Sequence, residues 1–392
     1  MDWSFLIRNK SSLDVTTDSR KVTSGSIFVA LKGEHFDGND FVEQAKAQGA
    51  EYVICGENAL QDLQDLARAW RRELGLPILA ITGTNGKTTT KELCAAVLKT
   101  KYNLYYTQGN LNNQLGVPLT LLSITRAHEI AIVEMGASHP EDIKELVEIA
   151  EPNYGLITNV GKAHLQGFGS FEGVMRTKAE LYDYIAQHGG AIFINEDNPY
   201  LKEMLENAQK KNVHCPLSII HYTTGAMPDD THLVGAYNAE NISAAIRVGL
   251  YFGVADNRAL AAIRAYIPSN NRSQLMQTEH NTLVIDAYNA NPTSMTAAIN
   301  AFKGNGYILG AMRELGEYSA LEHQNIVNML LERKADKVLL VGEEYAATTA
   351  PYPIFPNVEA LCEHLRHEPL HGYTVLLKGS RSNQLEKVIP LL

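Results

Sequence analysis

Ile78-Leu79-Ala80-Ile81-Thr82-Gly83-Thr84-Asn85-Gly86-Lys87-Thr88-Thr89 runs from an unbroken apolar segment into a glycine-containing turn. A helical pattern around Leu93, Ala96 and Val97 follows directly, so the turn joins a buried strand to a helix. Glycines there let backbone N–H groups point inward, and the helix N-terminus adds positive potential; both favour a bound phosphate. Lys87 is placed to neutralise β- and γ-phosphate charge, and the Thr88 hydroxyl to ligate Mg²⁺. A full Gly-x-x-x-x-Gly-Lys-Thr spacing wants glycine at position 81, where the chain has Ile81, so only the Gly-Lys-Thr half is met. Gly83, Thr84, Asn85, Gly86, Lys87, Thr88 and Thr89 are the expected phosphate-binding set; the bland alternative is a glycine-rich βα turn without chemistry.

The same alternation recurs outward from this turn. Ile130-Ala131-Ile132-Val133 leads into Gly136 and a helix expected near Pro140, followed by Tyr154-Gly155-Leu156-Ile157-Thr158 and Ala191-Ile192-Phe193-Ile194. The pattern restarts with Thr282-Leu283-Val284-Ile285-Asp286, Tyr307-Ile308-Leu309-Gly310, Lys337-Val338-Leu339-Leu340-Val341 and Tyr373-Thr374-Val375-Leu376-Leu377. Strands alternating with helices predict an α/β fold with mostly parallel sheets. Gly75-Leu76-Pro77 and Pro268-Ser269-Asn270-Asn271 read as seams, which predicts three domains over residues 1–76, 77–267 and 268–392.

Composition narrows the function. The 392 residues hold 34 Lys and Arg against 44 Asp and Glu, a formal net charge of −10, which disfavours a generic binder of nucleic acid or anionic membrane. Small anionic ligands stay open, because backbone amides, metal ions and a few local cations suffice to hold them. Cys55, Cys94, Cys215 and Cys362 are far apart and form no Cys-x-x-Cys pair, so neither a disulfide framework nor a zinc site is expected. Met1-Asp2-Trp3-Ser4-Phe5 lacks a cationic region followed by an apolar core, and no run approaches the ~18 apolar residues of a membrane span. The expectation is a cytoplasmic protein.

Three further residues carry candidate metal chemistry. Glu134 follows the strand ending at Val133, at the sheet edge where α/β proteins place ligands, and can hold Mg²⁺ as a Walker-B acid does. Ser138 and Glu141 are spaced as a capping box for the next helix, which leaves Glu134 for another role. His164 lies in the polar turn Gly161-Lys162-Ala163-His164-Leu165-Gln166-Gly167, either as a turn residue or as a ligand. Lys178 interrupts the apolar stripe Val174, Met175, Leu181, Tyr182 and Ile185. Either its ammonium snorkels to solvent, or burial lowers its pKa until the free amine reacts with CO₂ to give a metal-binding carbamate.

A second group suits a nucleotide. Asn238 and Asn241 share one face of a helix, Asn238 as a cap or a ligand and Asn241 one turn inside, suited to a base edge. Arg272 can reach phosphates, and Asp286, ending a strand, can accept from ribose hydroxyls. Lys378-Gly379-Ser380-Arg381 reads as another basic turn between a strand and a helix, suited to an anion.

Taken together, Thr82 to Thr89, Glu134-Met135-Gly136-Ala137, the stretch 159–170 and Lys178-Ala179-Glu180 resemble the Mur ligases in order and spacing. Tyr288-Asn289-Ala290-Asn291-Pro292-Thr293-Ser294-Met295, Met312-Arg313-Glu314-Leu315-Gly316 and Lys378-Gly379-Ser380-Arg381-Ser382 are most similar to the branch that adds D-alanyl-D-alanine. Asp18-Ser19-Arg20 to Phe41 resembles the UDP-binding domain which that branch shares with the diaminopimelate-adding ligases, whose Asp-Asn-Pro-Arg motif is absent here.

The resemblance implies a small α/β UDP-sugar-binding domain, a central P-loop ATPase-type domain and a C-terminal Rossmann-like domain. It implies an ATP-dependent, ADP-forming amide ligase, joining UDP-N-acetylmuramoyl-tripeptide to D-Ala-D-Ala in peptidoglycan precursor synthesis, as a monomer. Lys87, His164 and Lys178 would be catalytic. Thr88 and Glu134 would hold one Mg²⁺, and His164 and carbamylated Lys178 a second. Asn238 and Asn241 would meet the adenine, Arg272 the phosphates, Asp286 the ribose, and Asn113 would lie near the γ-phosphate. Ser19, Arg20, Lys32 and Asp37 would bind the UDP-sugar, with Lys378 and Arg381 on the substrate. Tyr237 stands where the family usually has His, and Ala311 where an acidic residue is common. The rivals are a neighbouring ligase adding a single amino acid and a non-catalytic sensor of UDP-muramyl peptides.

Overall fold

The computed structural model describes residues 2–212, 215–268 and 272–392. Ser269, Asn270 and Asn271 of the expected second seam, and Met1, lie outside the described residues. Three sheets organise the described residues. The first is small and parallel, in the order β1 (Val15–Thr16), β2 (Ile27–Val29), β3 (Tyr52–Ile54).

The second sheet contains β4 (Ile78–Thr82), β5 (Leu104–Tyr106), β6 (Ile130–Glu134), β7 (Tyr154–Ile157), β8 (Gly190–Asn195) and β9 (Leu217–Tyr222). It is parallel throughout, in the order β5-β6-β4-β7-β8-β9. Every residue of β4 and β6 is buried, as the continuous apolar runs require of strands covered on both faces. The chain builds β5 and β6 on one side of β4 and β7 to β9 on the other, so the topological switch lies at the carboxyl end of β4. Register brings Ile81 opposite Glu134 and Thr82 opposite Ile157.

The third sheet contains β10 (Gln274–Gln277), β11 (Thr282–Asp286), β12 (Gly306–Gly310), β13 (Lys337–Val341), β14 (Ile354–Phe355) and β15 (Thr374–Lys378). Its order is β10-β11-β15-β12-β13-β14, parallel except where β10 runs against β11. Thus β15 is inserted between two strands made much earlier in the chain. Every strand read from the sequence is present with each end within one residue. The short or half-exposed strands leave no such signal; β9, for example, mixes exposed, half-buried and buried residues.

Compact packing divides the chain into two units. One comprises the chain up to Gly83, Leu98–Ile157 and Arg176–Tyr222, and holds the first two sheets. The other comprises Thr84–Val97, Thr158–Met175 and Thr223–Leu392, and holds the third. The chain passes from the first to the second inside the glycine-containing turn itself. In the first unit the helix Ala59–Leu74 ends at Gly75, whose φ of 63° supplies the left-handed cap, so that seam is a helix stop. Its fully buried Trp70 donates to Ile124 O at 2.8 Å, and Arg71 donates to Ala150 O at 3.0 Å. Among the described residues no helix is long and apolar enough to cross a membrane.

Candidate active site

The turn after β4 is shaped by its neighbours in the second unit. Thr84 N–H donates to Asn159 O at 2.9 Å, and the Thr84 hydroxyl accepts from Gly161 N–H at 3.0 Å. Asn85 is held on both faces of its backbone. Its N–H donates to Asn159 Oδ1 at 3.0 Å, and its C=O accepts from the Thr158 hydroxyl at 2.6 Å and from Asn159 Nδ2 at 3.2 Å. Asn85 therefore supports the turn, with its own N–H committed to Asn159. Gly86 has φ 79°, and a Cβ there would run into the Asn241 side chain. Lys87 begins the helix Lys87–Leu98, and its ammonium donates back to Thr84 O at 3.2 Å; Thr88 and Thr89 are buried behind it.

Asn238 and Asn241 lie on the helix Asn238–Tyr251 and join the same network. Asn241 Nδ2 donates to Asn238 Oδ1 at 2.9 Å, while Asn241 Oδ1 accepts from the Thr90 hydroxyl at 3.0 Å. Asn238 does not cap the helix; Tyr237 is the N-cap, and Asn238 Nδ2 donates to Val234 O at 2.8 Å. Tyr237, at the position where histidine is usual, bonds the Ser273 hydroxyl at 3.0 Å. Burial, reinforced by the Asp286 charge, pushes its phenol well above the usual range.

His164 adopts the left-handed conformation, φ 49° and ψ 37°, at the start of the short helix Leu165–Phe168. Its Nδ1 meets the Glu314 carboxylate, and Gln166 N–H donates to Glu314 O at 3.2 Å. Two residues earlier, the Lys162 ammonium pairs with the buried Glu322 at 2.8 Å. Met312-Arg313-Glu314-Leu315-Gly316, whose role is silent in the sequence, is therefore the segment that receives the His164 turn.

Lys378 is not in a turn. It is the last residue of β15, opposite Asp286 in register, and its side chain is 1 % exposed. Its ammonium pairs with Asp286 at 2.6 Å and donates to Asn289 O at 3.3 Å, so the cation expected to bind substrate is used inside the fold. The helix expected after it is a pair of 3₁₀ segments, Arg381–Asn383 and Leu385–Leu391. The Arg272 guanidinium lies 3.9 Å and that of Arg381 5.6 Å from the Tyr288 ring centroid. Arg381 N–H also donates to Tyr288 O at 3.0 Å.

In the first unit, Glu134 ends β6 almost completely buried. Asn112 Nδ2 donates to its Oε1 at 2.9 Å, and its N–H donates to the Thr107 hydroxyl at 3.0 Å. Asn113, expected near the γ-phosphate, instead accepts from Gly116 N–H at 2.9 Å and so starts the helix Gly116–Leu122. Lys178 sits in the helix Phe171–His188 at 2 % exposure, which removes the snorkelling alternative.

The Ser138–Glu141 capping box does not form. Glu141 takes φ 68°, the helix begins at Asp142, and no side chain of the N-cap bonds back. Instead Asp142 accepts from Ser138 and His139 N–H at 2.8 Å each, and Glu180 of the Lys178 helix accepts from Glu141 N–H at 3.1 Å and Lys144 N–H at 2.8 Å. Burial raises the Glu180 pKa above the usual carboxylate range.

On the small sheet, Ser19 and Arg20 belong to a 3₁₀ turn capped by Asp18. Arg20 Nε and Nη2 each lie 2.8 Å from the Asp18 carboxylate, which holds that acid down to about 2. Asp37 caps a second 3₁₀ turn by accepting from Asn39 N–H at 2.9 Å, which lowers its pKa, and Lys32 stands 4.0 Å away. Among the described residues no group of three or more His, Cys, Asp or Glu side chains is gathered to hold a metal ion.

Comparison with known proteins decides the family. The chain matches the Mur ligase family catalytic domain over residues 14–98, the Mur ligase middle domain over 81–219, and the Mur ligase glutamate ligase domain over 271–381. The chain belongs to the Mur ligase family. It has that family's N-terminal, middle and C-terminal α/β domains and is an ATP-dependent ligase. The UDP-N-acetylmuramoyl-tripeptide–D-alanyl-D-alanine ligase of Bacillus subtilis is 33 % identical, over 96 % of this chain and 92 % of that one. The Escherichia coli protein of the same name is 34 % identical, over 96 % and 93 %. Among solved structures, MurF from Acinetobacter baumannii superposes with a TM-score of 0.84 at 29 % identity, covering 96 % of this Mur ligase and 92 % of that chain. MurF ligase from Thermotoga maritima, solved in complex with ADP, gives 0.85 at 25 % identity, covering 98 % of each.

Proposed function

We propose that this Mur ligase joins D-alanyl-D-alanine to UDP-N-acetylmuramoyl-tripeptide and converts ATP to ADP and phosphate, in cytoplasmic peptidoglycan precursor synthesis. The supporting observation is the braced Gly-Lys-Thr turn at the carboxyl end of β4, in a chain 33–34 % identical over 96 % of its length to ligases of that name. The domain division is residues 1–76 for the UDP-sugar, 77–267 for ATP and 268–392 for closing over the nucleotide, and the protein acts as a monomer.

A terminal carboxylate oxygen of the tripeptide attacks the γ-phosphorus of ATP. The bond to the β–γ bridging oxygen breaks, giving an acyl phosphate and ADP. The D-Ala-D-Ala amine then attacks the acyl carbon, loses a proton, and phosphate departs as the amide forms. No protein nucleophile is needed; phosphoryl transfer is mostly positioning and charge stabilisation. Lys87 neutralises γ-phosphate charge, with Gly83, Thr84, Gly86, Thr88 and Thr89 lining the turn and Asn85 shaping it. Asn238 and Asn241 face the adenine, Arg272 the phosphates and Asp286 the ribose, Lys378 acting by holding Asp286. Asn113 completes the γ-phosphate side through the helix it starts. Ser19, Arg20, Lys32 and Asp37 take the UDP-sugar and Arg381 the acceptor.

Mg²⁺ would be held by donors of this chemistry. Thr88 and Glu134 are hard oxygen ligands, and the Asn112 amide fixes the orientation of the Glu134 carboxylate. His164, its Nδ1 turned to Glu314, and a carbamate formed on the buried Lys178 would hold a second ion. Bound there, Mg²⁺ would draw charge from the phosphate oxygens.

Phosphate release from ATP tests the proposal, measured with the UDP-tripeptide plus D-Ala-D-Ala, single amino acids, or no acceptor. Sustained release only with the dipeptide is expected. Release with a single amino acid would make this a neighbouring ligase, and none with any acceptor would favour the sensor.

A further inference from the structure

Asn85 and Asn291 are 206 positions apart, yet their side-chain amides face each other. Asn291 Nδ2 donates to Asn85 Oδ1 at 2.8 Å, and Asn85 Nδ2 lies 3.4 Å from Asn291 Oδ1. Asn291 is 3 % exposed. It also acts locally, in the capping box of the helix Pro292–Ala301. Its Oδ1 accepts from Ser294 N–H at 2.9 Å while its N–H donates to the Ser294 hydroxyl at 3.1 Å. A cap alone needs only the acceptor oxygen. The amide nitrogen is left for Asn85, whose backbone N–H and C=O are both tied by side chains.

A second strut runs from the same helix start. Thr293 accepts from Lys162 N–H at 3.1 Å, and Gly161 is so close that a Cβ there would sit 2.8 Å from the Thr293 hydroxyl. Gly161 is the residue that bonds Thr84. The helix start Asn291–Thr293 thus braces the turn at Asn85 directly and at Thr84 through Gly161.

We propose that Asn291 is a positioning residue for ATP: by fixing the Asn85 amide it sets the direction of the turn's remaining N–H groups and of Lys87. This rests on the proposal that the turn binds ATP. Losing this pair lets the turn relax, with an expected loss of about tenfold in nucleotide binding, ~1.4 kcal/mol.

Asn291→Ser separates capping from bracing, since serine keeps a good N-cap but is too short to reach Asn85. The full-length protein is compared as wild type, Asn291→Ser, Asn85→Ala, the double variant and Lys87→Ala. The readouts are KM for ATP, KM for the UDP-tripeptide, Kd for a non-hydrolysable ATP analogue, and Tm. Asn291→Ser should raise KM and Kd for the nucleotide about tenfold, leave the UDP-tripeptide KM within about twofold and lower Tm by no more than a few degrees. The double variant should be no worse than either single, because both break one interaction. Wild-type nucleotide affinity in Asn291→Ser, strictly additive losses, or a lowered Tm with unchanged nucleotide KM would overturn the proposal. A folded wild type that binds no ATP, indistinguishable from Lys87→Ala, would instead remove the function on which it rests and the proposal with it.

Discussion

Four residues separate the end of β4 at Thr82 from Lys87, whereas β15 ends on Lys378 itself. Both lysines adjoin a glycine at the carboxyl edge of a parallel sheet, and in sequence the two turns look alike. The four-residue gap lets the backbone swing round before the helix begins, so Lys87 stays partly exposed and its ammonium curls over the turn to Thr84 O at 3.2 Å. Lys378 has no such gap, so strand register aims it at Asp286 and buries it. In these two turns distance from the strand end, rather than composition, decides whether the lysine stays partly exposed or is buried inside the fold. Lys178 is a third case, a lysine buried on a helix face rather than at a strand end.

The sharpest way to break this comparison is activity. Lys87→Ala should lower ligation by about a thousandfold or more while leaving the urea midpoint unchanged, because charge stabilisation of phosphoryl transfer is lost and no packing is. A variant within about tenfold of wild type would place Lys87 with the structural lysines. Lys178→Ala should also abolish ligation, and excess bicarbonate should not restore it; undiminished turnover would exclude the carbamate. Lys378→Met should act on stability instead, costing ~3–5 kcal/mol in urea unfolding because Asp286 is left charged and partly buried. Adding Asp286→Leu should recover a good part of that loss. Should Lys378→Met keep its unfolding midpoint and change only a substrate KM, the lysine serves a ligand after all.

The smallest effect concerns His323, which holds the turn after β12 without any ion pair. Its Nε2 accepts from Met312 N–H at 3.0 Å and its Nδ1 donates to Ser319 O at 2.7 Å, so the ring is neutral, and burial lowers its pKa below 6.5. The unfolded state binds the proton more readily. The contribution to stability is therefore present above pH 6.5 and is lost as pH falls through and below that value. Unfolding free energies between about pH 7.5 and 5.5 should drop more steeply for the wild type than for His323→Gln; parallel profiles would remove His323 as the cause.

What could be read in advance divides by distance along the chain. The central strands and the Gly-Lys-Thr turn announce themselves through local apolar runs and spacing, whereas the stripe around Lys178 allows both a snorkelling and a buried lysine, and only the fold decides for burial. The capping box at Ser138 and Glu141 fails because Glu180, 39 residues from Glu141, takes the helix N-terminus from another element. Asn112 and Asn113 look equivalent, and only the fold turns the first to Glu134 and the second to a helix start. Glu314 and Asn291 are silent because their partners, His164 and Asn85, lie 150 and 206 residues away. Lys378 misleads for the same reason, since Asp286 is 92 residues distant.

The insertion of β15 between β11 and β12 has a consequence for biogenesis. A nascent chain that has made β10 to β14 holds two strands with their inner edges unsatisfied, and they cannot pair correctly until Thr374–Lys378 emerges. Such open edges invite pairing with other chains. A polypeptide broken off before β15 would leave the facing edges of β11 and β12 unpaired.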